Sequence, residues 1–163
     1  MGNMREIVIG IDPGAKGFAC VYHARLNDFT FIALENTSHL KAMLRSVSSV
    51  DVVACVENVS ALKGASSTTT FSFGYNVGWV HGLLDAYEIP TVNVTPHKWQ
   101  REMWEAGDKV TIDGKLHTKK TSERAARRLH PALDFRKNDK CTKADDNKVD
   151  AALICDYARR LNL

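Results

Sequence analysis

The stretch Ile7-Val-Ile-Gly-Ile-Asp-Pro-Gly-Ala-Lys-Gly17 constrains this chain more than any other. Ile7, Val8, Ile9 and Ile11 form an apolar, mostly β-branched run that ends on Asp12. Pro13, Gly14 and Gly17 then force a turn, and Phe18-Ala-Cys-Val-Tyr22 leaves it with strand character. The pattern predicts a buried strand, a tight turn and an antiparallel return strand, with a carboxylate at the end of the first strand. A carboxylate carried into a core loses its hydration and needs a metal, a cation or hydrogen bonds. Taken alone, Asp12 before Pro-Gly is equally a turn cap. The rest of the chain has to decide.

The spacing predicts strands over residues 5–11, 17–23 and 28–33, then a helix over 39–47 with Ser38 as N-cap and Leu40, Met43, Leu44 and Val47 on one face. Asp51-Val-Val-Ala-Cys-Val-Glu57 is a second buried strand that ends in a carboxylate. Residues 60–74 are small and polar and read as a loop carrying Phe71 and Phe73 at its far end. Helical spacing resumes over 75–88, a strand follows at 89–94, and Pro96 opens a helix running through Trp104. Residues 107–118 read as a hairpin or loop around Asp113-Gly114. A basic amphipathic helix over 119–129 and a closing helix over 146–161 complete the chain, with no internal repeat and no linker.

The length of 163 residues suits one domain with one core. No apolar run approaches the roughly 20 residues of a membrane span and no signal-peptide segment precedes the first strand, so a cytoplasmic protein is expected. Cys20, Cys55 and Cys155 lie inside apolar runs and Cys141 stands apart, without a CxxC pair, which predicts reduced core thiols rather than disulfides or a zinc site. Charge is unevenly spread. Residues 97–143 hold 13 Lys/Arg against 7 Asp/Glu, whereas residues 1–96 hold 6 against 8. A basic segment on a mildly acidic frame suits a polyanion, although a solvated lysine-rich surface gives the same count.

Three strands joined by short turns imply an antiparallel meander, and strands later separated by helices imply parallel additions to the same sheet. This is the order of the ribonuclease H-like fold, an α/β mixed five-stranded sheet (3-2-1-4-5) flanked by helices. In that layout Asp12 and Glu57 end neighbouring strands. Two such acids repel unless a cation lies between them. In Lys143-Ala-Asp-Asp-Asn-Lys-Val-Asp150, Asp146 and Asp150 are four apart and share one helical face. Asp145 and Asp146 are accounted for by helix-start chemistry, but Asp150, one turn in and beside Val149, is not. Carboxylates alone as ligands suit Mg²⁺ or Mn²⁺.

Gly10-Ile-Asp-Pro-Gly14, Val56-Glu57-Asn-Val59 and Val149-Asp-Ala-Ala-Leu-Ile154 resemble, in order, the three acidic motifs of the RuvC family of Holliday-junction resolvases. The stretch from Phe71-Ser-Phe-Gly74 through Gly78 and Gly82 to Val94-Thr-Pro-His-Lys-Trp99 is most similar to the bacteriophage branch of that family. The resemblance covers nearly the whole chain. It implies a homodimeric, Mg²⁺-dependent endonuclease selective for four-way DNA junctions, with Mn²⁺ as a substitute and no nucleotide cofactor. Asp12, Glu57, Asp146 and Asp150 would hold two ions about 4 Å apart, Asp12 bridging them, and hydrolysis would leave a 5′-phosphate and a 3′-hydroxyl. Lys98, and Lys119 or Lys120, match the lysines of the family pattern and would stabilise charge on the phosphate. Lys98, Arg101, Lys119, Lys120, Phe71 and Phe73 are the expected DNA contacts. The dimer would form through helix 75–88, where Gly78 and Gly82 permit close approach and Trp79 and Leu83 pack across a two-fold axis.

Two departures from the family pattern stand out. The cellular enzymes space their last two aspartates three apart; here Asn147 takes that place, leaving Asp146 as the expected ligand and Asp145 as its substitute. They also carry an aromatic wedge three residues after the Glu, where this chain has Ser60, so Phe71 or Phe73 is expected to stack on an opened base pair. A nuclease of broader branched-DNA taste shares the same metal chemistry, and a non-catalytic DNA-structure binder shares the fold. A nucleotide phosphotransferase would need a second lobe to close over ATP.

Overall fold

The computed structural model describes residues 5–58, 64 and 66–163. Five strands form one mixed sheet: β1 (Ile7–Asp12), β2 (Phe18–His23), β3 (Asp28–Ala33), β4 (Val52–Glu57) and β5 (Thr91–Val94), in the order β3-β2-β1-β4-β5. β1-β2 and β2-β3 pair antiparallel, while β1-β4 and β4-β5 pair parallel. The helices are α1 (Thr37–Val47), α2 (Ser67–Ala86), α3 (Pro96–Met103), α4 (Thr118–Leu129) and α5 (Asp146–Arg160). A 3₁₀ turn at Ala106–Asp108 and a separate hairpin of β6 (Thr111–Ile112) and β7 (Lys115–Leu116) lie between α3 and α4. No helix among the described residues is long and apolar enough to cross a membrane.

The central strands are apolar on both faces because both faces are covered. Ile7, Ile9 and Ile11 pack with Ala54 and Val56 against Leu40 and Leu44 of α1 and Val80 and Leu84 of α2. Val8, Val53 and Cys55 face α5 and Trp99. Strand alternation therefore fixes the site. Counting on from Val8 and Gly10, Asp12 projects toward α5; counting on from Val53 and Cys55, so does Glu57. In the parallel register Ile11 pairs with Val56, which places Asp12 opposite Glu57.

α5 is the helix that the sheet is built to hold. Nine of its 15 residues are buried, as expected for a helix packed on a sheet and flanked by other helices. Its approach to β1 depends on Gly10. A Cβ there would lie 2.2 Å from the Cys155 nitrogen and 2.4 Å from the Ala151 carbonyl oxygen. Gly17 is constrained in the same way, since a Cβ would meet the Asp12 carbonyl at 2.0 Å inside the β1-β2 turn.

Several sequence expectations need correction. α1 begins at Thr37 and its cap is Asn36, whose side chain accepts from the His39 amide, while the Ser38 hydroxyl is inside the first turn and itself donates to Asn36. The expected loop over 60–74 is helical from Ser67 onward. Ser66 accepts from the Thr69 amide as N-cap, and the Thr-rich first turn tolerates its low propensity because Val80 and Leu84 anchor the helix on the sheet. Phe71 and Phe73 are thus helical residues. Ile89 and Pro90 precede β5 rather than belonging to it. Trp79 and Leu83 are partly buried and pack in part against the inner core. Cys20, Cys55 and Cys155 are buried free thiols, as the sequence implied. Ser60 lies outside the described residues.

Candidate active site

Asp12 is buried at the end of β1. Its Oδ1 accepts from the Gly14 amide at 3.2 Å, so it caps the turn as well as facing the site. Burial, and secondarily the Asp145 carboxylate, raise its pKa to about 6 against the pull of Gly14 and Lys119. Glu57 is half-buried at the end of β4, where Trp99 Nε1 donates to Oε1 at 2.8 Å. Burial pushes it up to about 7, with Asp12 adding to the rise and the Trp99 hydrogen bond opposing it. Asp150, on the first turns of α5, is raised to about 8 by burial and then by Asp12, Glu57 and Asp146, while a hydrogen bond with Ser122 of α4 opposes the rise.

Three acids on three elements therefore share one poorly hydrated space and repel one another. Their donor set is all oxygen, and each resists ionising for want of a counter-charge. A hard divalent cation is the partner that relieves this. The residues fit such an ion by chemistry. Among the described residues, however, no three His, Cys, Asp or Glu side chains converge closely enough to hold one as they stand.

The expected fourth acid, Asp146, is paired with a lysine. Asp146 Oδ2 is 2.7 Å from Lys119 Nζ. Asp145 is the N-cap of α5, accepting from the Asn147 and Lys148 amides at 3.0 and 3.1 Å. Lys119 senses Asp146, Asp150 and Asp145 and has its own pKa raised by them. Of the other expected cations, Lys98, Arg101 and Lys120 are exposed. Phe71 is 76% exposed on the outer face of α2, and Phe73 is partly buried.

Trp99 and Ser122 were not singled out by sequence as site residues. Trp99 is fully buried, and its ring lies behind Glu57. The motif Thr95-Pro-His-Lys-Trp99 contained the only signal, an aromatic one turn into a helix that opens beside a strand end. Removing that donor has a readable consequence. Trp99→Phe keeps the packing but loses the hydrogen bond, so Glu57 should rise above about 7. In a metal-titration series, half-maximal binding at a fixed low metal concentration should then move to higher pH than in wild type.

A mixed sheet in the order 3-2-1-4-5, with helices on both faces, is the topology of the ribonuclease H-like fold. Among solved structures the chain is similar to RuvC of T. thermophilus in complex with a Holliday junction substrate, with a TM-score of 0.54 and 13% identity over 95% of this chain and 96% of that one. A second structure of Thermus thermophilus RuvC gives 0.53 and 14% over the same shares. At this identity the likeness is one of fold. No protein-family model and no curated protein matches the sequence.

Proposed function

We propose that this chain is a divalent-metal-dependent endonuclease for branched DNA, resolving four-way junctions by paired nicks that leave 5′-phosphate and 3′-hydroxyl ends. The observation that carries it is the raised trio Asp12, Glu57 and Asp150 at adjoining strand and helix ends. The RuvC-like fold supports it. Asp12, Glu57, Asp150 and Asp146 would hold two Mg²⁺ ions, or Mn²⁺, with Asp12 shared. Such ions supply an activated water and stabilise the leaving oxygen. The phage-branch assignment rests on the stretch from Phe71 to Trp99.

The residues divide the remaining work. Asp12 is held by Gly14 and Glu57 by Trp99, so both carboxylates present fixed oxygens. Lys119, whose charge bears on Asp12, and Lys98 would supply cations for the phosphate. Lys119 also holds Asp146 in the DNA-free chain, so a phosphate that draws Lys119 away would free Asp146 for a metal. Lys119→Ala is accordingly expected to tighten Mg²⁺ binding several-fold without DNA, by calorimetry, while slowing nicking.

Two sites cutting opposite strands require two copies. The outer face of α2 suits that contact: Gly78 and Gly82 are open, and Phe71 and Tyr75 are 76% and 67% exposed. We place the homodimer there, with Trp79 and Leu83 supporting the helix from within, and the protein in the cytoplasm. The deciding experiment incubates a labelled four-way junction, forks, flaps and a linear duplex with wild type and Asp12→Asn, with Mg²⁺ and with EDTA. Paired, metal-dependent cuts in the junction alone, absent from the variant, are expected. Equal cutting of forks, flaps and duplex would replace junction selectivity with a broader branched-DNA nuclease. Junction binding without cleavage in Mg²⁺ or Mn²⁺ would make the chain a DNA-structure binder.

A further inference from the structure

A two-stranded hairpin of this size is marginal in water unless something holds it. β6 and β7 pair Thr111 with Leu116 and Ile112 with Lys115 around Asp113 (φ 49°) and Gly114 (φ 73°), the paired left-handed residues of a type I′ turn. All six residues from 111 to 116 are exposed, including Ile112 at 40% and Leu116 at 46%. Each face of the ribbon carries one aliphatic side chain and one polar one, and neither face rests on this chain's core.

Its base, by contrast, is secured at two points of α4. At the near end the His117 amide donates to the Val110 carbonyl at 2.7 Å, the Val110 amide to the buried Thr121 hydroxyl at 3.1 Å, and that hydroxyl to the His117 carbonyl at 3.0 Å. At the far end Arg128 forks onto buried Asp108 at 2.8 to 3.2 Å and reaches the Met103 carbonyl at 3.0 Å. Arg128 is itself exposed while Asp108 is buried, so the pair fixes the segment that leads into the ribbon, and the ribbon projects from that fixed base. An exposed ribbon on a fixed base is placed to meet something outside the chain.

The charge around it identifies the partner. Lys115 lies on the ribbon and Lys109 just before it, and a groove beside it is lined by Lys119, Lys120, Arg127 and Lys143 against Glu123 and Asp146. Protein interfaces are depleted in lysine, whereas a phosphate backbone attracts it. A two-stranded ribbon bare on both faces also has the cross-section that a DNA groove admits. We infer that the β6-β7 hairpin is a rigid probe that enters a groove of a duplex DNA arm beside the candidate active site, with Lys109, Lys115, Lys120 and Lys143 on the flanking phosphates and Ile112 and Leu116 against the groove. The inference rests on the nuclease reading, and it assigns binding of the arm, not chemistry, to the hairpin.

The test uses the full chain carrying Ile112→Ser with Lys115→Ala, both exposed, and a second variant, Asp113→Asn, which suits the left-handed turn position and removes one negative charge from the ribbon tip. Binding to a four-way junction and to single strands of equal length is measured across salt in Ca²⁺ or EDTA. The double variant should bind the junction about tenfold or more weakly, with a log–log salt slope lower by about one, and leave single-strand binding unchanged. Asp113→Asn should keep the slope and bind the junction more tightly, through the loss of one repelling charge beside the phosphates. An unchanged Mg²⁺-induced shift in Tm would show the acidic site intact in both. Unaltered junction affinity and slope in both variants would overturn the inference while leaving the nuclease reading standing; no junction binding by wild type would overturn both. Dissociation of a dimer by the double variant, at constant slope, would reassign the hairpin to a protein contact and overturn the DNA assignment.

Discussion

Asp150→Asn is expected to lower metal-dependent nicking by about 10³-fold or more and at the same time to make the metal-free protein more resistant to heat. The first effect follows from the several kcal/mol of charge stabilisation that a site loses with one of its metal ligands. The second follows from the acid's surroundings. Asp150 titrates near 8 in the fold against an ordinary 3.8, so the folded chain binds its proton more tightly than the unfolded chain does. Between those two values stability must fall as pH rises. Asp12 and Glu57, raised to about 6 and about 7, act in the same direction.

With respect to these groups the metal-free wild type should therefore be most stable below about pH 4, and lose stability progressively up to about pH 8. Asparagine keeps the shape and an acceptor for Ser122 but carries no charge. A gain of about 2 kcal/mol, discounted for the half-exposed face of the residue, corresponds to a rise of roughly 4–8 °C in Tm at pH 8 in EDTA. The gain should vanish near pH 4. Saturating Mg²⁺ should raise the Tm of wild type well above that of the variant, reversing their order. A Tm in EDTA at pH 8 that is equal or lower in Asp150→Asn would mean that the three carboxylates are not held in mutual repulsion, and the metal site would lose its main support.

The parts of this arrangement legible in sequence are those governed by short-range rules. Period-two alternation through Val8, Gly10 and Asp12, and through Val53, Cys55 and Glu57, suffices to put both acids on one face of the sheet. Four-residue spacing puts Asp146 and Asp150 on one face of α5, while Asp145 is its N-cap. The type I′ hairpin announced itself in Asp113-Gly114. What failed was decided by tertiary contacts. Residues 67–74 look like a loop because Thr and Ser favour caps and turns, yet the core anchor at Val80 and Leu84 extends the helix back over them. The ion pair of Asp146 with Lys119 joins two helices and lies beyond any local pattern. Likewise Trp99 and Ser122 support Glu57 and Asp150 across 42 and 28 positions of chain, which no local pattern displays.

The contact that brings these distant pieces together also makes the sharpest test of the fold. Gly10→Ala is expected to destabilise the chain by about 4 kcal/mol or more, a loss of roughly 8–16 °C in Tm. The new methyl would sit 2.2 Å from the Cys155 nitrogen, 2.4 Å from the Ala151 oxygen and 2.6 Å from the Cys155 Cα, all backbone atoms that no rotamer change can move aside. α5 would have to lift from β1, opening the core around Val149 through Ala158 and carrying Asp150 away from Asp12. Both Tm and the Mg²⁺-induced shift should therefore fall together. Gly78→Ala provides the contrast. It lies mid-helix with nothing within 4 Å of its would-be Cβ, so alanine should leave the monomer unchanged or stabilise it by up to about 1 kcal/mol through helix propensity. If α2 is the dimer face, the same substitution should weaken self-association in sedimentation while Tm holds. A Gly10→Ala protein that melts like wild type would mean that α5 does not approach β1 this closely, and Asp150 would then lose its place beside Asp12 and Glu57.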